Sequence, residues 1–155
     1  MIDDVVAREK SRLAAHHLVN FALRLVETWR NASGGDQETL VLMAIVAITT
    51  DRLTRTDLDP SFRNMANPIP QELLGECNLS SIAAASGLNR ETARRVVNRL
   101  IESGRLTRSL SGTVHFMPGR LQGDAARSLN DKQLEDFCRT ADALAREGIL
   151  QCRTG

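Results

Sequence analysis

The chain has 155 residues, of which 42% are apolar and 25% charged, with a formal net charge of +1. That length fits one compact unit or two small lobes sharing a core, and the apolar share is enough for a globular interior. With no tyrosine and one tryptophan, the composition argues against an aromatic platform for stacking single-stranded nucleic acid.

In chain order, Met1-Ile2-Asp3-Asp4 is acidic rather than basic, so no secretory signal is expected at this end, and a cytoplasmic protein is. Residues 3 to about 30 repeat apolar positions every three to four residues (Leu13, His17, Phe21 or Ala22, Leu25, Trp29), which predicts a long helix. His16 and His17 are adjacent, point in different directions and are read as structural. Asn31-Ala32-Ser33-Gly34-Gly35 breaks the pattern. Asp36 is the expected cap of a second helix over about Gln37–Arg55, with Glu38 near its positive end. Its run Leu40–Ile48 is apolar all round and far too short to span a bilayer. Such a helix must be covered on most sides, and a dimer interface is the expected cover. A central core helix and a buried strand are the other readings.

Pro60, Pro68 and Pro70 mark residues 56–76 as a linker, with a helical turn expected at Gln71–Leu74. The segment Asn78 to Phe116 then reads as two helices and a hairpin. Asn78 caps the first helix and Gly87 ends it, because glycine takes the left-handed conformation without strain. Ala83 suits a close helix crossing, and Leu88 would plug the turn into the core. Asn89 caps the second helix, Arg90 to Ser103, with Gly104 as its stop. Ala93, Val96, Val97, Leu100 and Ile101 form the buried stripe of that helix. Glu91, Arg95, Asn98 and Glu102 lie opposite, flanked by Arg94 and Arg99. Arg105–Ser109 and Thr113–Met117 read as two strands joined by Leu110-Ser111-Gly112. Asp131–Glu147 is a last amphipathic helix, capped by Asn130 or Asp131 and ended by Gly148. Its expected buried stripe is Leu134, Phe137, Cys138, Ala141, Leu144 and Ala145.

Cys77, Cys138 and Cys152 are odd in number and lack metal-ligand spacing. Cys77 and Cys138 fall at apolar positions, so buried thiols are expected there. No phosphate-binding glycine loop, nucleophile elbow or recognisable carboxylate pair occurs, so neither an enzyme nor a cofactor is expected.

The order helix, turn, helix, hairpin predicts a winged helix-turn-helix. Arginine can bond both acceptors of guanine, glutamate can accept from cytosine, and the amino end of the second helix is the end that meets base edges. By type, Arg94, Arg99 and Arg108 suit phosphates, and Arg108 and His115 could reach the backbone or the minor groove. The stretch GLNRETARRVVNRLIESGRL resembles the recognition helix of the catabolite-activator (Crp/Fnr) winged-helix domain, over Cys77 to about Gly119. The resemblance implies base contacts from Arg90, Glu91 and Arg95 and a phosphate contact from Thr92. That family carries an amino-terminal β-roll for a cyclic nucleotide or a cluster. Here the preceding 76 residues read as helical, so neither ligand is expected. In overall order the chain is more like the MarR family of dimeric regulators.

Charge is distributed unevenly. Residues 80–120 hold seven arginines and two acids, a net of +5, whereas residues 1–79 sum to −3 and 121–155 to −1. A basic segment between acidic ones is the electrostatic footprint of a DNA-binding module. The plainer alternatives are an exposed Glu91–Arg95 ion pair and a winged helix that docks a protein.

The expectation is therefore a mainly α chain with four parts. Residues 1–58 would form a helical dimerisation region and 59–76 a linker. Residues 77–119 would form the winged helix-turn-helix, and 120–155 a carboxy-terminal helix packing on the helical region. Its function would be sequence-specific binding of double-stranded DNA as a homodimeric transcriptional regulator, with room for an unidentified small-molecule effector and no membrane association.

Overall fold

The computed structural model of the protein describes residues 1–55, 59–65, 67–117, 119–120 and 123–151, with the side chains of residues 52, 54, 55 and 71 left aside. Among the described residues, six α-helices and one antiparallel hairpin follow in the order α1 (Asp4–Glu9), α2 (Ser11–Ser33), α3 (Asp36–Arg55), α4 (Leu79–Ser86), α5 (Arg90–Glu102), β1 (Leu106–Arg108), β2 (Val114–Phe116) and α6 (Asp124–Arg146). The expected mainly helical chain with a small hairpin is met. The long amino-terminal helix is divided at Lys10, whose backbone leaves helical geometry (φ −105°, ψ 26°). Short 3₁₀ turns occupy Pro60–Arg63 and Gln71–Leu73, the first of them not anticipated. Asp59 caps that first turn by accepting from the Ser61 amide at 2.9 Å.

The chain divides into two compact units, Met1–Trp29 with Ser128–Gly155, and Arg30–Arg127. These limits differ from the expected boundaries at 58, 76 and 119. Residues 36–55 fall with the two-helix and hairpin segment, not with the amino-terminal helix.

In the Arg30–Arg127 unit, α3 packs against α4 and α5, α4 against α5, and β1 beside α5. Val41, Leu42, Ala44 and Ile45 of α3 are buried, as are Ile82 of α4, Val96, Val97 and Leu100 of α5, and Leu106 and Val114 of the hairpin. Part of the run Leu40–Ile48 therefore belongs to the core of this unit, as the central-core reading has it, while Leu40 and Ala47 of the same run stay exposed. The buried Thr49 hydroxyl is satisfied within α3, donating to the Ile45 carbonyl at 2.7 Å. After the linker the chain is pinned to the same helix. The Gly75 amide donates to the Thr49 carbonyl at 2.9 Å, and a β-carbon on Gly75 would lie 2.8 Å from the Ile48 carbonyl oxygen.

In the other unit, α2 up to Trp29 and α6 from Ser128 run antiparallel. Lys10 pairs with Glu147 at 3.0 Å, Arg24 with Asp136 at 3.2 Å, and the Trp29 indole donates to Gln133 at 3.0 Å. Phe21 and Phe137 meet edge to face with centroids 6.2 Å apart. Ile2 forms an antiparallel bridge with Leu150. The last helix begins at Asp124, not Asp131, so neither Asn130 nor Asp131 caps it.

The buried side of α6 also differs from expectation. Asp136, Thr140 and Leu144 are buried, whereas Leu134, Phe137 and Cys138 are exposed. A polar seam with α2 takes the inward positions because Arg24 supplies the charge that lets Asp136 go inside. Cys138, expected buried, is turned outward with Leu134 and Phe137, while Leu144 of the same expected stripe is buried. Cys152 lies outside the described residues.

Candidate nucleic-acid interface

The site is built on local capping. The Asn78 side chain accepts from the Ser81 amide at 3.0 Å and starts α4. Gly87 ends it in the left-handed region at φ 69°, where an L side chain would be strained. Two residues later Asn89 accepts from the Thr92 amide at 2.8 Å and starts α5. A cap of this kind contributes about 1 kcal/mol and fixes where the second helix begins. It therefore fixes which way Arg90 faces. Leu88, in the turn, is half-buried.

α5 is strongly two-faced. Ala93, Val96 and Val97 are fully buried and Leu100 nearly so, while Arg90, Glu91, Arg94, Arg95 and Arg99 are exposed and Thr92 and Asn98 half-buried. At the amino end, Arg94 grips Glu91 with both arms of its guanidinium: Nε donates to Oε2 at 2.9 Å and Nη2 to Oε1 at 2.6 Å. That bidentate bond holds the Glu91 carboxyl below its ordinary range. The acid thus pairs three residues along, with Arg94, and not four along with Arg95. The side chains of Arg90 and Arg95 meet no hydrogen-bond or ion-pair partner among the described residues.

Three further arginines are engaged within the fold. Arg99 lies 3.1 Å from the Glu38 carboxylate, at the amino end of α3. Arg108 of β1 donates to the Asn98 side chain of α5 at 3.1 Å and so ties the hairpin to that helix. Arg105 reaches the carboxy-terminal end of α2, where it donates to the Ser33 carbonyl and, at 2.9 Å, to the Ala32 carbonyl. These are helix-end carbonyls that lack partners of their own. Burial, then the neighbouring Arg120, lowers the Arg105 pKa, and Glu38 works the other way.

The hairpin pairs Leu106 with Phe116, Thr107 with His115 and Arg108 with Val114. Gly112 closes its turn at φ 86°. His115 Nε2 bonds the Thr113 hydroxyl at 2.8 Å, so that nitrogen is already occupied. On its other edge the hairpin meets Cys77, two residues before α4, as the Val114 amide donates to the Cys77 carbonyl at 2.6 Å. Cys77 is fully buried, and burial pushes its thiol up to about 11, which makes it inert at neutral pH.

Of the seven residues singled out in the sequence, six lie on α5 and Arg108 reaches that helix from β1. Glu38, as the partner of Arg99, carried no local signal, since it stands 61 positions earlier. Arg105 did carry one: an arginine just after a helix stop, in a chain with a bare Ala32-Ser33-Gly34 helix end to satisfy. Comparison with protein-family models, with curated proteins and with solved structures returned no match.

Proposed function

We propose that this protein is a sequence-specific, dimeric regulator of transcription that binds double-stranded DNA through a winged helix-turn-helix made of α4, α5 and the hairpin. The observation that carries the reading is the division of α5. Its inner face is fully buried, and its outer face presents Arg90, Glu91 and Arg95 at the amino end, inside a segment of net charge +5. A helix so anchored can lay its outer face in the major groove, where arginine and glutamate have edges to read.

In this reading Arg90, Glu91 and Arg95 meet bases. Arg94 holds Glu91 in place and turns its remaining donors to a phosphate. Thr92, Arg99 and Arg108 face the backbone, with Glu38 and Asn98 aiming the last two. Two copies related by a two-fold axis would read a rough palindrome with half-sites roughly 34 Å apart.

Selection of duplexes from a random pool, followed by titration at rising salt, tests the proposal. A recurrent motif should emerge, and affinity should fall steeply with salt as counterions are released. Arg95→Ala should cost about 1–3 kcal/mol and relax preference at one base pair, whereas Arg99→Ala should weaken all sequences alike. Absence of duplex binding in dilute buffer would leave the winged helix as a protein-docking module instead.

A further inference from the structure

The α2–α6 pair buries charge in its seam, next to Leu144, and leaves much of its apolar surface outside. The seam between the helices holds a carboxylate only 1% exposed, Asp136, facing Arg24 at 3.2 Å, Arg139 at 3.5 Å and Lys132 at 3.8 Å. Neither oxygen is in hydrogen-bond geometry with any of the described residues, so the contact is ionic. Arg24 also donates to the Thr140 hydroxyl at 3.0 Å, and that side chain too is buried.

The outside carries the apolar side chains. Leu18, Val19, Leu23 and Val26 of α2 and Leu134 and Phe137 of α6 are each between 40% and 62% exposed. Helical spacing places them in one band that runs from α6 round the outer side of α2. Phe137 meets Phe21 across the pair, Leu134 is one turn from Phe137, and Leu18 is one turn from Phe21. From Leu18 the surface continues round α2 through Val19, Ala22 and Val26, whose 3–4 spacing makes a seam free of charge.

We infer that this surface is where a second copy of the chain packs, α2 and α6 of one protomer against α2 and α6 of its partner as a four-helix bundle. The six side chains leave on the order of 600 Å² of apolar surface in water, at or above the largest patch of a typical monomer. Two copies together would bury roughly 1,200 Å², where stable specific interfaces begin. A two-fold dimer uses one patch on both partners, so this patch needs no second surface to complement it. Ala15 and Ala22, small and exposed on the same side of α2, let the helices approach closely. The inference deepens the dimeric reading above by naming its surface, and it is independent of whether the dimer binds DNA.

Sedimentation without DNA tests it. The wild-type chain should sediment as a dimer at micromolar concentration. L134E/F137E and V19E/V26E should each weaken the dimer by at least about 30-fold, the loss expected at the centre of an interface, with helical circular dichroism unchanged. Because these side chains are already exposed, charge there leaves the monomer fold intact. Leu40→Glu, an exposed apolar position on α3, should leave the dimer as it is. Cys138 sits on the same stripe and reports independently. Its alkylation, read peptide by peptide, should be slow in the wild-type dimer and fast in both double variants.

A wild-type monomer at 100 µM-scale concentration (roughly the point where weak specific pairs still associate) would overturn the inference, as would double variants that dimerise like wild type. Dissociation by Leu40→Glu alone would move the interface to α3 and overturn it too. A dimer of this behaviour that ignores duplex DNA would leave the inference standing and defeat the regulator. A wild-type monomer that binds duplex would do the reverse.

Discussion

The two units of this chain solve the burial problem in opposite ways. In the Arg30–Arg127 unit the apolar side chains of α3, α4, α5 and the hairpin converge, and charge is kept outside. In the α2–α6 unit the ionic contacts of Asp136 lie inside beside Leu144, and several leucines and valines with Phe137 face water. The first arrangement stands on its own, because apolar burial at about 25 cal/mol per Å² is gained within one chain. The second gains little from its own seam, since a buried ion pair roughly breaks even against its desolvation. The contrast teaches that the Arg30–Arg127 unit covers its own apolar core, while the helix pair leaves apolar side chains for the proposed second copy to cover.

The sharpest way to break that contrast is to truncate matched aliphatic side chains. Ile45→Ala, at a fully buried site in α3, should lower stability by about 2–5 kcal/mol in urea titration. Leu23→Ala, on the outer side of α2, should change it by less than about 0.5 kcal/mol at a concentration too low for association. Equal losses would erase the distinction.

A smaller effect is expected from the polar seam. Asp136→Ala leaves Arg24 without its counter-charge, and because Arg24 is itself partly exposed the cost should be about 1–3 kcal/mol rather than the full loss of a buried pair. If Asp136→Leu proved more stable than the wild type in the same titration, the seam would serve register between the helices and not stability.

The smallest effect concerns the thiols. Iodoacetamide at pH 8 should modify monomeric Cys138 quickly and Cys77 hardly at all, as peptide mass measurement would show. The Cys77 pKa is raised in the folded chain, so the folded state keeps a proton that the unfolded state loses near pH 9. Stability should therefore fall between pH 9 and about 11, and Cys77→Ala should flatten that fall.

Legibility in the sequence followed the range of the determining interaction. Asn78, Gly87, Asn89 and Gly104 act within three or four residues of themselves, and the limits of α4 and α5 were readable to within a residue. The hairpin was readable for the same reason, from the turn Leu110-Ser111-Gly112. The placement of α3 was not, because its periodicity reports that it is covered and does not report by what. The buried side of α6 was misread on the same ground. Apolar spacing selected Leu134, Phe137 and Cys138, while the inward choice depends on Arg24, more than a hundred residues away. At the candidate site, the row of exposed cations on α5 could be listed from spacing alone. That Arg99 is held in place could not be, because Glu38 acts on it through space from α3.

Gly75 carries a consequence for variation along this protein. It lies in a proline-rich connector where residue identity would ordinarily drift without penalty. Yet its missing β-carbon is what lets the strand of chain entering α4 rest against the backbone of α3. Even a methyl there would press on the Ile48 carbonyl oxygen in the α3 backbone, so the connector or the helix would have to shift. The stretch that looks most permissive thus contains one of the positions least open to replacement.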